Sequence, residues 1–322
     1  MCEKKIVILC PKKIIMALRG KYEQSTTAIK VVQFLGCMFV FFILSVGLIF
    51  LFPSAINQDV VALKWIQLIQ MVSIFLLPAL CMAYLWSEKP LQYLHIRSTK
   101  LSYAVFAILL ILVALPAINL FGAINQKLNL PAFLEPIETW MRTQEDAAAR
   151  VTDLFLNVTT YKELVINILL MALLPAVAEE ITFRGIIQRL FTPKRYASSD
   201  LTIQPTPHVA IWCTAILFSA VHMQFYGFLP RMLMGALFGY VLAWTGSLWL
   251  PILMHFTNNA MAVILYFVSL RAGWDMDKVD TIGTNDTLWL GVVSIVLTVV
   301  GIYAFRRSTT MSNASSRISN GN

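Results

Sequence analysis

Long apolar runs alternate along the chain with short polar breaks, and the runs repeatedly reach the length of about 20 residues that lets a helix cross a bilayer. The pattern predicts eight membrane helices, over about Val31 to Phe52, Trp65 to Trp86, Leu101 to Ile124, Leu164 to Leu190, His208 to Gln224, Arg231 to Trp244, Leu248 to Leu270 and Thr287 to Phe305. The fold class is therefore all-α, a polytopic membrane bundle. The breaks alternate in charge. Lys4, Lys5, Lys12, Lys13, Arg19, Lys21 and Lys30 outweigh Glu3 and Glu23 before the first run, and Lys89, Arg97, Lys100, Arg189, Lys194, Arg195, Arg306 and Arg307 mark further basic breaks. Acidic residues dominate about Asn125 to Lys162 and the break holding Asp275, Asp277, Asp280 and Asp286. Basic loops stay on the cytoplasmic side, so both termini are expected on the cytoplasmic side of the plasma (inner) membrane. Within 125–162, Trp140, Met141, Val151, Leu154 and Phe155 alternate with charges, which fits either a helix lying on the outer surface or a plain connector.

This reading divides the chain into a basic cytoplasmic segment (1–30), N-terminal membrane helices with an outer loop (31–160), a membrane core (161–270), an outer loop with the last membrane helix (271–305), and a Ser/Asn-rich cytoplasmic tail expected to be disordered (306–322). No cleavable signal is expected, because about 30 mixed polar residues precede the first apolar run. No internal repeat supports an inverted-repeat transporter.

Composition agrees: of 322 residues, 58% are hydrophobic and 13% charged, far from the balance of a soluble domain. The net charge of +8 is scattered over loops rather than gathered on one face, which argues for membrane orientation and against nucleic acid as a partner. Five cysteines, without a CxxC pair, read as reduced packing residues rather than a disulfide framework or thiolate metal site.

Charge inside the apolar runs carries the candidate chemistry. Glu179 and Glu180 are adjacent within the fourth predicted helix, an expensive place for two carboxylates. Glu180 and Arg184 are four apart with the acid first, so they share a face and can neutralise each other. Glu179 points about 100° away and is left without a local cation, which suits a general base or acid. Of four histidines, His222 and His255 fall in apolar runs. Phe218 and His222 share one helix face, and so do His255 and Asn259, two donors able to hold an oxyanion. Rise per residue places Glu179, His222, His255 and Asn259 about 10 to 20 Å from the inner ends of their helices, so they can meet inside the membrane. Each also has a structural reading: intramembrane His and Asn often bond neighbouring helices, and a Glu-Arg pair often only supports. Gly235 and Gly239 form a GxxxG that lets a helix approach closely. Arg231 fits an interfacial, snorkelling cation or a substrate contact.

The motifs Glu179-Glu180-x-x-x-Arg184, Phe218-x-x-x-His222, and His255-x-x-x-Asn259 preceded by Thr245-Gly-Ser-Leu-Trp-Leu-Pro251 resemble those of the CPBP (CAAX protease and bacteriocin-processing, Abi) intramembrane proteases, over about Leu164 to Ala262. The resemblance implies an endopeptidase acting on a membrane-associated protein or peptide. In it Glu179 and His222 activate water, His255 and Asn259 support the transition state, and Glu180, Arg184 and Phe218 hold the geometry. The family has been described both as metalloproteases and as glutamate-dependent proteases, which leaves a metal open. Glu179, His222 and His255 are the candidate Zn²⁺ ligands, although HExxH is absent and the favoured mechanism needs no cofactor. A noncatalytic scaffold or bacteriocin-immunity factor is a second reading of the same residues. A cation-coupled transporter is a third.

Overall fold

Helices follow the apolar runs closely because a backbone in hydrocarbon must satisfy its own polar groups. The computed structural model describes residues 18–54, 59–192, 207–274 and 281–320, with side chains to 311. We label its longer helices α1 (Thr27–Ile49), α2 (Val60–Trp86), α3 (Leu101–Gln126), α4 (Glu135–Leu156), α5 (Tyr161–Phe191), α6 (His208–Ala220), α7 (Phe228–Thr245), α8 (Trp249–Ala272) and α9 (Leu288–Asn320). No strand occurs among the described residues. Among the described residues seven helices are long and apolar enough to cross a membrane, and the molecule is an integral membrane protein. The basic residues of positions 1–17 and 193–206, and Asp275, Asp277, Lys278 and Asp280, lie outside the described residues.

The exception to the predicted spans is α6. Its 13 residues rise only about 20 Å, short of a hydrocarbon core of about 30 Å. The sequence pattern carries this helix to Gln224, but it ends at Ala220, and Met223 then takes a left-handed backbone with φ 55°. Apolar side chains alone cannot show where that turn falls. A second difference lies at the C-terminus, where α9 continues to Asn320 through the tail expected to be disordered. Each added residue of a formed helix gains a hydrogen bond, so a weak local sequence can still prolong it. Within 125–162 the chain forms a helix, α4, rather than an irregular connector.

Local signals fix the ends. Thr160 and Glu163 cap α5 reciprocally, each side chain taking the other's backbone N–H at 3.3 and 3.2 Å. Gly246 and Gly273 end α7 and α8 with φ of 65° and 67°, a conformation a side chain would oppose. Packing then sets the site. α3 lies against α7, α8 and α9, α6 lies against α7, and α8 lies along α5. The most enclosed spans are α5 and α7, each with 44% of its apolar stretch buried, against 11% for α1. The centre of the bundle is thus the helix that carries the paired carboxylates and the helix that carries GxxxG.

At the end of the bundle where α2 finishes and α3 begins, a strap crosses the foot of α5. His95 takes φ 56° there, its carbonyl accepts from Leu248 N at 2.9 Å, and its Nε2 lies 3.3 Å from Arg189 Nη1. Burial, and then the Arg189 and Arg97 cations, push the imidazole down to about 4 from its ordinary 6.5. The unfolded chain therefore takes up this proton at a higher pH than the folded one. Stability is full above about pH 6.5 and declines as pH falls toward 4. Detergent melts at pH 7.5 and 5 should show the loss, and His95→Asn, whose side chain tolerates the left-handed backbone, should shrink it. An unchanged difference would show that other groups carry the acid sensitivity.

Candidate active site

The site is built on α5, where two sections, Ile168–Leu173 and Ile181–Ile187, widen into π-helical turns. Wide turns leave carbonyls and side chains out of ordinary α register, and they recur where a helix presents functional groups. Here the neighbours use the irregularity. Thr182 Oγ1 donates to Phe75 O at 2.8 Å, inside a matching π-helical section of α2, and Gln67 Nε2 donates to Leu170 O at 3.3 Å.

Glu180 and Arg184 form the predicted pair, Nη1 to Oε1 at 2.7 Å, both fully buried. The same oxygen also accepts from His255 Nδ1 of α8 at 2.9 Å. Two partners from two helices thus converge on one carboxylate, and His255 keeps Nε2 free of that bond. Arg184 also donates through Nη2 to Gly235 O at 2.9 Å, and its guanidinium lies 4.4 Å from the Phe218 ring centre. A Cβ on Gly235 would stand 3.2 Å from Nη2 and 3.1 Å from the Phe218 ring, which explains why glycine occupies that position. One turn on, Gln188 Nε2 donates to Gly239 O at 3.2 Å. Arg184 and Gln188 of α5 therefore match Gly235 and Gly239 of α7 rung for rung. The GxxxG serves this polar ladder as well as close approach. Gln188 escaped the sequence reading, though a polar residue four beyond Arg184 on the same apolar face was the available signal.

Glu179 points elsewhere, as its position predicts. Its Oε2 makes no hydrogen bond to a protein group and lies 3.7 Å from His222 Nε2. His222 Nδ1 sits 2.7 Å from the Phe218 carbonyl, which only accepts, so Nδ1 carries a proton and Nε2 is the ring nitrogen that faces Glu179. Glu179 is 5% exposed through its side chain and His222 27%, so the histidine is the open side of the pair. Phe218 shields the cluster at its centre, with ring centres 5.2 Å from His222 and 5.8 Å from His255.

The turn after His222 is pinned from outside. Asn125 of α3 donates to Phe225 O at 2.9 Å and accepts from Leu229 N at 2.7 Å, while Glu145 of α4 accepts from Tyr226 N at 3.1 Å. Neither residue carried a sequence signal, because both act across more than 80 residues of chain. Asn259 lies one turn from His255 on α8, but its Nδ2 faces Met171 O at 3.5 Å and its Oδ1 accepts from Asn258 at 3.2 Å. The described residues hold no group of three or more His, Cys, Asp or Glu placed to share a metal ion. Of the candidate ligands, Glu179 and His222 converge whereas His255 turns Nδ1 to Glu180. These residues do not form a ready metal centre, and no step below is routed through one.

Residues 161–261 match the profile of the family described as type II CAAX prenyl endopeptidase Rce1-like. This segment holds all three motifs, so the resemblance read from them is borne out over that part of the chain. A similar curated protein is the uncharacterized protein YpbD of Bacillus subtilis (strain 168), 27% identical over 99 residues, which are 30% of this chain and 43% of the relative. The chain thus spans less than half the length of the curated relative it matches. No solved structure matches it.

Proposed function

Starting from the Rce1-like segment at 161–261, we propose that this chain is an intramembrane endopeptidase whose water is activated by Glu179 and His222, and whose substrate is a membrane-associated protein or peptide. The observation that carries this reading is the unpaired Glu179 oxygen 3.7 Å from His222 Nε2, inside a cluster where the other acid is doubly held. A water between them would give one proton to this pair while its oxygen adds to the scissile carbonyl carbon. The same proton then passes to the amide nitrogen as the C–N bond breaks. His255 is oriented by the Glu180 carboxylate through Nδ1, which leaves its Nε2 edge to donate to the carbonyl oxygen as that oxygen becomes an oxyanion. Glu180 and Arg184 orient His255 and do not touch the substrate.

A scaffold or immunity factor would have no need of a buried carboxylate that no Arg or Lys neutralises, and this sequence lacks the internal repeat that many transporter folds show. The test is to purify the protein in detergent and identify, by mass spectrometry, membrane peptides that accumulate when Glu179 is replaced. If wild-type and Glu179→Gln membranes contain the same peptides, the reading falls.

Asn259→Ala should leave measurable activity, reduced about 10²- to 10³-fold in turnover, because its amide, held only by a 3.5 Å contact to Met171 O, serves as a second oxyanion donor beside His255. Turnover unchanged from wild type would confine Asn259 to its contact with Met171.

A further inference from the structure

His222 stands beyond the helix that leads to it. α6 ends at Ala220, so the backbone of His222 belongs to an open turn that runs through the left-handed Met223 to the start of α7 at Phe228. The ring makes one hydrogen bond among the described residues, to the Phe218 carbonyl at 2.7 Å. Where it points therefore depends on what fixes the turn. Ser219 Oγ donates across its mouth to Phe228 O at 2.7 Å, Asn125 of α3 bridges Phe225 O and Leu229 N, and Glu145 of α4 accepts from Tyr226 N at 3.1 Å. Ser219 and Asn125 are 1% and 5% exposed, so their bonds form with the bundle itself. Glu145 differs. It is half-buried on a helix that buries only Phe155 of its 22 residues and is not one of the membrane spans. The same helix sets Trp140 against the Phe225 ring, with centres 5.4 Å apart, and Arg142 over the Tyr226 ring at 4.4 Å. These contacts of α4 fall on one step of the turn, Phe225 and Tyr226. The Glu145 carboxylate also offsets the Arg231 cation, whose charge reaches Glu179 and His222, a second route that the test below separates from the first.

We propose that Glu145 is a positioning residue for His222: by accepting the Tyr226 N–H it sets the turn so that Nε2 stands against Glu179, and α4 is thereby part of the active site. This rests on the endopeptidase reading. A carboxylate that accepts a backbone N–H makes a charge-assisted bond, stronger than one between neutral groups. Tyr226 is four residues beyond His222, and the chain between them has no α-helical turn to absorb a displacement. A shift of about 1 Å in a reacting group can cost about 10²-fold in rate, so one bond at this point reaches the chemistry without touching it.

The test uses purified protein in detergent and the membrane peptide that accumulates in Glu179→Gln membranes. Glu145→Ala should lower kcat about 10- to 100-fold while KM stays within about twofold, because a displaced ring slows the chemistry and leaves substrate binding alone. Glu145→Gln should recover most of that loss, since its carboxamide oxygen accepts the same N–H. Asp146→Ala, which alters the exposed acid next to it, should behave as wild type. An unchanged kcat in Glu145→Ala, or a rise in KM alone, overturns the proposal. Equal losses in Glu145→Ala and Glu145→Gln overturn it too, because they assign the effect to the charge on Arg231 rather than to the turn. A second measurement needs no substrate. The chain has four histidines, so nitrogen-15 labelling gives few ring signals, and that of His222 is identified by its loss in His222→Gln. Glu145→Ala should move the His222 signal, Glu145→Gln should return it, and those of His95 and His208 should stay in place. If the wild type cleaves no peptide, the endopeptidase reading falls and the ring signal alone decides. A His222 signal that moves and returns in this way supports the positioning role, and one unmoved by Glu145→Ala overturns it.

Discussion

Glu179→Gln is expected to remove peptide cleavage, lowering turnover by at least about 10²- to 10⁴-fold, while the protein still folds and purifies like the wild type. The substitution keeps the shape of the side chain and removes the lone pair that takes the proton from water. It breaks no ion pair with Arg184, because that cation is committed to Glu180. His222→Ala should be equally inactive, since it removes the other member of the only pair able to share that proton in the proposed site. His255→Ala should be inactive too, because it removes an oxyanion donor and at the same time one of the two partners of the buried Glu180 carboxylate. Steady-state cleavage of a membrane peptide that accumulates in the Glu179→Gln strain provides the measurement. Wild-type turnover by Glu179→Gln would eliminate it as the base and reopen the scaffold and transporter readings. Exhaustive chelation that stops the wild type, with recovery on adding Zn²⁺, would instead reassign Glu179 and His222 as metal ligands.

The separate fates of the two carboxylates were legible because they depend on local geometry alone. Glu180 and Arg184 are four apart on one helix, so their meeting follows from 3.6 residues per turn, and Glu179 is turned away by the same rule. The spans were legible for a similar reason, since apolar length is a local property. What stayed hidden depends on contacts between distant elements. The His255 to Glu180 bond joins residues 75 apart in sequence, and nothing in either helix encodes it. The wide turns at Ile168–Leu173 and Ile181–Ile187 are stabilised by partners on α2 and α8, so α5 reads from sequence as a regular helix. The early end of α6 has the same origin. Its following turn is fixed by Asn125 and Glu145 from two other helices, whereas the local run through His222 and Met223 is apolar enough to continue.

Glu180→Gln and Arg184→Ala should destabilise the fold far more than Glu179→Gln does. Arg184 is held by Glu180 Oε1 at 2.7 Å and by Gly235 O at 2.9 Å, with Phe218 and Phe238 against its guanidinium. Removing the Glu180 charge leaves that guanidinium buried without a counter-ion. Removing Arg184 leaves the Glu180 carboxylate with only His255 and opens a space against two aromatic rings. A buried pair broken on one side costs about 3 to 5 kcal/mol, a large fraction of the stability of a typical domain. Glu179 has no such partner, so its neutral isostere strands nothing. Folded yield from detergent extraction and thermal melts would rank the three variants. The double variant Glu180→Gln/Arg184→Met should recover part of the loss, because two neutral groups of similar size leave no charge unpaired. Equal destabilisation by all three single variants would mean that Glu179 supports the fold as well, and the division between a free base and a held acid would fail.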